Sequence, residues 1–163
     1  MYRPELFAES RLDVLYGLMR ERPLATLVTA SAGRLDADHL PLLLSPQPAP
    51  LGSLHGHVAR ANPLWRAALA ADVEVLAIFS GAQAYITPSW YPAKAEHGKV
   101  VPTWNYAVVH AHGMMRAFEE PARLRAHLEA LTAANEPARP QPWQVADAPR
   151  EFTERLIAGI VGI

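Results

Sequence analysis

Apolar side chains recur at helical spacing through Leu12, Leu15, Tyr16, Leu18 and Met19, with Ser10 ahead of them, Asp13 in the first turn and Pro23 behind. That pattern predicts a capped amphipathic helix ended by the proline. LATLVTA, residues 24 to 30, then reads as a strand, Ser31 to Gly33 as a turn and His39 to Leu44 as a second strand, which makes a hairpin. After a proline-rich connector at 46 to 52, Gly52 to Val58 alternates small or apolar residues with Ser53, His55 and His57, the period of a strand with two unlike faces. Asn62 and Pro63 mark the start of a short helix. VEVLAIFSG, residues 73 to 81, is apolar enough for a buried strand, with AYI at 84 to 86 as its candidate neighbour.

Residues 87 to 103 show no period and contain Pro88, Pro92 and Pro102, which predicts a long functional loop. A strand over about 104 to 118 and a helix over about 121 to 134 follow, the helix carrying Leu124, Leu128 and Leu131 on one face. Beyond the loop at 136 to 149, Phe152, Leu156, Ile157, Ile160 and Val161 suggest a last helix, or a helix whose IAGIVGI end turns into a strand. Five or six strands with helices before and after predict a single α+β domain over residues 1–163, built around a small antiparallel barrel.

Composition narrows the chemistry. The 163 residues are 50% hydrophobic and carry a formal net charge of −1, which fits a folded domain and makes direct DNA binding doubtful. The absence of cysteine removes disulfides, thiolate metal sites and cysteine nucleophiles. Arg3 is followed by no apolar run and no window approaches a membrane span, so the expected setting is soluble and cytoplasmic. GxGxxG, Walker, HExxH and GxSxG patterns are missing, which leaves dinucleotide-fold, P-loop, zincin and α/β-hydrolase chemistry unsupported.

Three sets of residues carry candidate chemistry. In HGHVARANP, residues 55 to 63, Arg60 precedes a helix start at Asn62, an arrangement that suits a phosphate or carboxylate; the other reading is a plain helix cap beside a solvated arginine. His55 with His57 and His110 with His112 each share a strand face, so the two pairs are either metal ligands or hydrogen-bonded strand histidines. Trp90, Tyr91, Trp104 and Tyr106 stand close in sequence to Ser89, Thr103 and Asn105, with Lys94 and Lys99 nearby. Flat aromatic faces among hydroxyl and amide groups suit a planar heteroaromatic ligand with a polar edge and a phosphate tail, as a flavin has; equally, the aromatics could pin the long loop to the barrel.

The motifs MYRPELF, PLATLVT, DHLPLLL, LHGHVARANPLW, AYITPSWY, VVPTWNYAVVHAHG and WQVADAP together span essentially the whole chain. In them the sequence resembles the PaiB-like FMN-binding proteins, often labelled negative transcriptional regulators, within the wider split-barrel flavin-binding group that includes the pyridoxamine-phosphate oxidases. The resemblance implies a six-stranded antiparallel split β-barrel with flanking helices, a homodimer, and FMN at the subunit interface. It implies cofactor contacts from His57, Arg60 and Asn62 near the phosphate, from Ser89, Trp90 and Tyr91 closing over the site, and from Thr103, Trp104, Asn105 and Tyr106 beside the flavin. The function expected is a transcriptional regulator or a small flavin-dependent oxidoreductase, with a metal-dependent barrel enzyme using the His-x-His pairs as the alternative. It further implies a lysine-containing tail after the IVGI segment, so the domain at 1–163 is expected to lack that tail.

Overall fold

The structure, a computed structural model, describes residues 1–163 except Ala32 and Ala71. Its first helix, α1 (Leu12–Glu21), turns Leu15, Tyr16, Leu18 and Met19 toward the core. Ser10 does not cap it. Arg11 occupies the N-cap, and the Glu9 carboxylate accepts from the backbone N–H groups of Ser10 and Arg11 instead.

β1 (Leu24–Ser31) and β2 (Arg34–Pro41) form an antiparallel hairpin whose register runs from Leu24 opposite Pro41 to Ser31 opposite Arg34. The second strand therefore starts earlier than predicted: Leu35 and Ala37 alternate with Arg34, Asp36 and Asp38, but Arg34–Ala37 is exposed throughout and contributes nothing to the core. Gly33 provides a φ of 75° for the turn; Ala32 of the expected turn lies outside the described residues. The chain continues into β3 (Leu43–Ser45), which pairs with β4 (Ser53–His55). β4 and β5 (His57–Ala59) are one predicted strand broken at Gly56, where a Cβ would come within 2.8 Å of Leu42 Cδ2 and 3.0 Å of Leu40 Cδ1. Any larger residue there would have to push those leucine methyls aside.

α2 (Leu64–Ala70) leads into β6 (Val73–Ile86), a single strand of 14 residues. AYI is the end of β6 and not a neighbouring strand. β6 pairs along its length with β7 (Thr103–Met115), with a shift between Ser80 and Gln83 that marks a β-bulge. Between them the proline-rich segment forms a 3₁₀ turn at Pro88–Trp90 and a short α3 (Ala93–Glu96). α4 (Pro121–Asn135), a 3₁₀ turn at Val145–Asp147 and α5 (Arg150–Ala158) follow, and IAGIVGI divides into the end of α5 and β8 (Ile160–Gly162).

The result is α+β, with antiparallel sheets and five α-helices among the described residues. The four-stranded sheet has the order β2-β1-β6-β7, and β3-β4 and β5-β8 form two further pairs. These pairings do not by themselves make one closed six-stranded barrel. A single antiparallel bridge, Phe118 with Gly162, links the end of the β7 segment to β8. The main core lies between α1 and the sheets, with Ala25, Leu27, Leu40, Leu42, Phe79, Val109 and Met115 buried together. Phe118, Leu124 and Ile157 form a second cluster where α4 and α5 meet.

Candidate functional site

Seven of the ten expected contact residues gather at the far end of the β6–β7 ribbon. Trp104 stands opposite Tyr85, Asn105 opposite Ala84, and Thr103 opposite Ile86. Beyond the bulge, Gln83, Tyr85, Trp104 and Tyr106 share one face, by the two-residue period of strands. Trp104 Nε1 donates to Gln83 Oε1 at 3.0 Å, and the Tyr85 and Trp104 rings meet at 6.0 Å with 58° between their planes. This fixes the indole while leaving it 54% exposed; Tyr106 is 65% exposed and Trp90 68%. Such faces are available for stacking. Both sides of this end are open, since Thr103, Asn105 and Ala84 on the opposite face are exposed too.

Ser89 and Trp90 lie on the 3₁₀ turn directly after β6, held by Thr87, whose side chain accepts from Ser89 N, and Tyr91 follows at its C-cap. Lys94 Nζ donates to Ser89 Oγ at 3.0 Å. Among the described residues neither Lys94 nor Lys99 has a carboxylate partner. The donor set therefore fits a flavin chemically: aromatic faces for a planar ring, neutral hydroxyl and amide groups for its polar edge, and free cations for a phosphate.

His57, Arg60 and Asn62 stand elsewhere. Asn62 Oδ1 accepts from Leu64 N at 2.8 Å, so it caps α2, while its Nδ2 donates to Asp38 Oδ1 at 2.6 Å. Arg60 is committed to its own chain: Nε donates to the Ala158 carbonyl at 2.7 Å, Nη2 to the Ile160 carbonyl at 3.1 Å, and Nη1 pairs with Glu119. His57 Nδ1 shares a hydrogen bond with His127 Nε2 at 3.1 Å, with the rings edge to face at 5.3 Å. Burial pushes the His57 imidazole below its ordinary range. It lowers His127 to about 4, helped by the charges His57 and His55 would carry, so both rings are neutral at pH 7. Arg60, paired with Glu119, and His57, opposite the Gly162 that bridges to Phe118, sit near the opposite end of β7. From Trp104 to Met115 the strand alone covers about 37 Å at 3.4 Å per residue.

The two His-x-His pairs do not converge on a metal centre. Each shares a face as expected, but His55 bonds to Ser53 and His57 to His127, while His110 and His112 lie on β7. No group of three or more histidine, aspartate or glutamate side chains suited to a metal ion occurs among the described residues. Sequence reasoning missed Gln83, Tyr85 and His127. The signal for His127 was present, because it falls with Leu124, Leu128 and Leu131 on the apolar face of α4. The signal for Tyr85 was hidden by the bulge, which reverses the parity of β6.

Comparison with known proteins settles the family. The whole chain, residues 1–163, matches the family described as "Putative FMN-binding domain". The chain belongs to that family. It is 32% identical over 162 residues to the Bacillus subtilis protein named "Protease synthase and sporulation protein PAI 2", covering 99% of this chain and 74% of that one. An uncharacterized protein of Emericella nidulans is 34% identical over 197 residues, covering 100% of this chain and 78% of the other. Among solved structures, the FAD and heme binding protein from Mycobacterium smegmatis superposes with a TM-score of 0.63 at 17% identity, over 95% of this chain and 65% of that one. The flavocytochrome Anf3 from Azotobacter vinelandii superposes with a TM-score of 0.62 at 13% identity, over 100% and 67%. The chain thus spans about two-thirds of the length of those two structures, which show the shared fold. The cofactor that family membership brings is FMN, and the aromatic end of the ribbon is chemically suited to it. No helix among the described residues is long and apolar enough to cross a membrane.

Proposed function

We propose that this chain is one half of a homodimeric FMN-binding split barrel, in which the flavin sits between the aromatic end of one copy's β6–β7 ribbon and the second copy. The observation that carries this is the separation of the two candidate sets. Up to about 37 Å of strand length lies between Trp104 and the end of β7 near Arg60, which favours the two sets reaching one flavin from two chains. A ribbon end exposed on both faces and rich in aromatics also asks for a covering surface. The Phe118–Gly162 bridge supports the barrel reading, because it links the β7 segment to β8, which pairs with β5.

In this reading Trp90, Tyr91, Trp104 and Tyr106 flank the flavin ring, and Ser89, Thr103 and Asn105 hydrogen-bond its polar edge. His57, Arg60 and Asn62 of the other copy face the phosphate side, where Arg60 would exchange Glu119 for the ligand. Bound FMN supplies electron-transfer chemistry, and the protein supplies orientation and exclusion of water. A flavin-dependent redox role is favoured over direct DNA contact by the net charge of −1, which offers no general attraction to phosphate backbones. The test is the absorbance spectrum of purified protein after adding FMN and desalting, followed by fluorescence titration of Trp104→Ala. Retained flavin, with affinity reduced about tenfold or more in the variant, corresponding to about 1.4 kcal/mol, supports the site. Wild-type protein that neither retains nor quenches FMN defeats it.

A further inference from the structure

A cavity of about 610 Å³ opens between α1 and the sheets, within the range of about 300–1,000 Å³ common for small-molecule sites. Leu15, Leu27, Leu42, Leu54, Val109 and Met115 line its interior, and none of the residues assigned above to the flavin borders it. Folded interiors are close-packed, so a void of this size asks what keeps it open. Part of the answer lies on the inward face of β7, shared by Val109, Ala111, Gly113 and Met115 through the two-residue period of a strand. The two middle residues are small, and a Cβ built on Gly113 would meet nothing within 4 Å. Gly113 does not have a positive φ either, so neither crowding nor backbone shape calls for glycine there.

The charge around this apolar chamber has one sign. Arg116, Arg123 and three histidines, His55, His110 and His112, are among the described residues that line it, and no aspartate or glutamate is. Arg116 is already engaged, since its Nε and Nη2 donate to the two Asp72 carboxylate oxygens at 2.6 and 2.8 Å. Arg123 has no carboxylate partner among the described residues. Its guanidinium lies 3.8 Å from the centroid of the buried Phe118 ring, a stacking that holds the cation in place and leaves its N–H groups for an outside acceptor. His55, tied to Ser53 Oγ at 2.8 Å, stands close enough to feel that charge. Burial, with the Arg123 charge behind it, lowers the His55 imidazole below its ordinary range, so His55 adds no second positive charge at pH 7. The arginines therefore leave one uncommitted cation beside a hydrocarbon-lined space.

We propose that this cavity binds a small apolar monocarboxylate, of the medium-chain fatty acid type, with its hydrocarbon between α1 and the sheets and its carboxylate on Arg123. Apolar walls select for hydrocarbon length, because each methylene moved out of water adds to the affinity. Arg123 selects for a single negative charge, and the lack of lining carboxylates means that nothing at the site opposes an anion. The proposal is independent of flavin binding.

The test is calorimetric titration with decanoate, below its micellar concentration, in the presence and absence of excess FMN. Saturable binding is expected, tightening about fourfold per added methylene from hexanoate to decanoate and unchanged by FMN. Arg123→Met keeps a flexible apolar side chain against Phe118, and it should weaken decanoate about tenfold while leaving decanol unaffected. Gly113→Leu puts a side chain into the open space and should abolish binding of both ligands with no fall in the unfolding midpoint. No saturable binding of decanoate, or competition between decanoate and FMN, overturns the proposal. So does decanoate binding that Arg123→Met leaves unchanged, or that survives in folded Gly113→Leu protein.

Discussion

Phe118 lies flat against Gly162, where a Cβ would meet ring carbons at 2.1 to 2.5 Å. The ring is 6% exposed and has Arg123 over its other face at 3.8 Å, so it has little room to retreat. Gly162→Ala should therefore cost about 1–3 kcal/mol in overpacking, read as a lower denaturation midpoint with an unchanged slope. Phe79, fully buried in the main core, gives the opposite kind of damage: Phe79→Ala should cost about 3–5 kcal/mol through the cavity it leaves, measured the same way. Arg60 is a third case. Two of its bonds tie β5 to the carbonyls at the end of α5 and in β8. Arg60→Met should lower stability by about 1 kcal/mol even without flavin, since the side chain is partly exposed and its ion pair with Glu119 adds little. An effect on FMN affinity beyond that loss is what would mark a ligand contact.

Helix α4 is held to β5 by a neutral pair of histidines, and this makes the attachment sensitive to acid. His127 is lowered from 6.5 to about 4 by burial, so its neutral form belongs to the folded state. The stabilisation is complete above pH 6.5, where the unfolded chain is also neutral, and is lost as pH falls toward 4. It amounts to roughly 3 kcal/mol over that window. Urea unfolding at pH 7 and pH 4.5 should show the loss, and His127→Leu should remove most of the pH dependence. Elements of this kind were partly legible beforehand. The periods of α1, α4 and β7 showed themselves because each has one apolar face. β2 began unseen because its outer half is solvent-exposed, and β6 looked like two pieces because Gly81 and its neighbours interrupt the alternation.

At the scale of the molecule, the aromatic loop, the cap at Asn62 and the α+β class could be read from residue order. The distance between Arg60 and the aromatic set could not, because spacing along a chain says nothing about which end of a long ribbon a segment reaches. That distance leads to a prediction about assembly. Sedimentation should show a dimer, and replacing Tyr85, Trp104 and Tyr106 with serine should shift it to monomer. A monomeric wild-type protein would leave the exposed ribbon end unexplained.

The bulge between Ser80 and Gln83 has a consequence for how this arm could change over time. Because two residues of β6 there oppose one of β7, Phe79 faces inward and Tyr85 outward, although both are odd-numbered. Removing one residue at the bulge would restore simple pairing and still leave Gln83 opposite Tyr106 and Tyr85 opposite Trp104. Losing the bulge at unchanged length would instead slip the end of β6 by one residue, so that Tyr85 left Trp104 and traded places with Ala84. The extra residue is thus what lets one strand serve two masters, with Phe79 in the core and Tyr85 beside Trp104, and any change that irons out the bulge without shortening the chain exchanges the two faces of the arm.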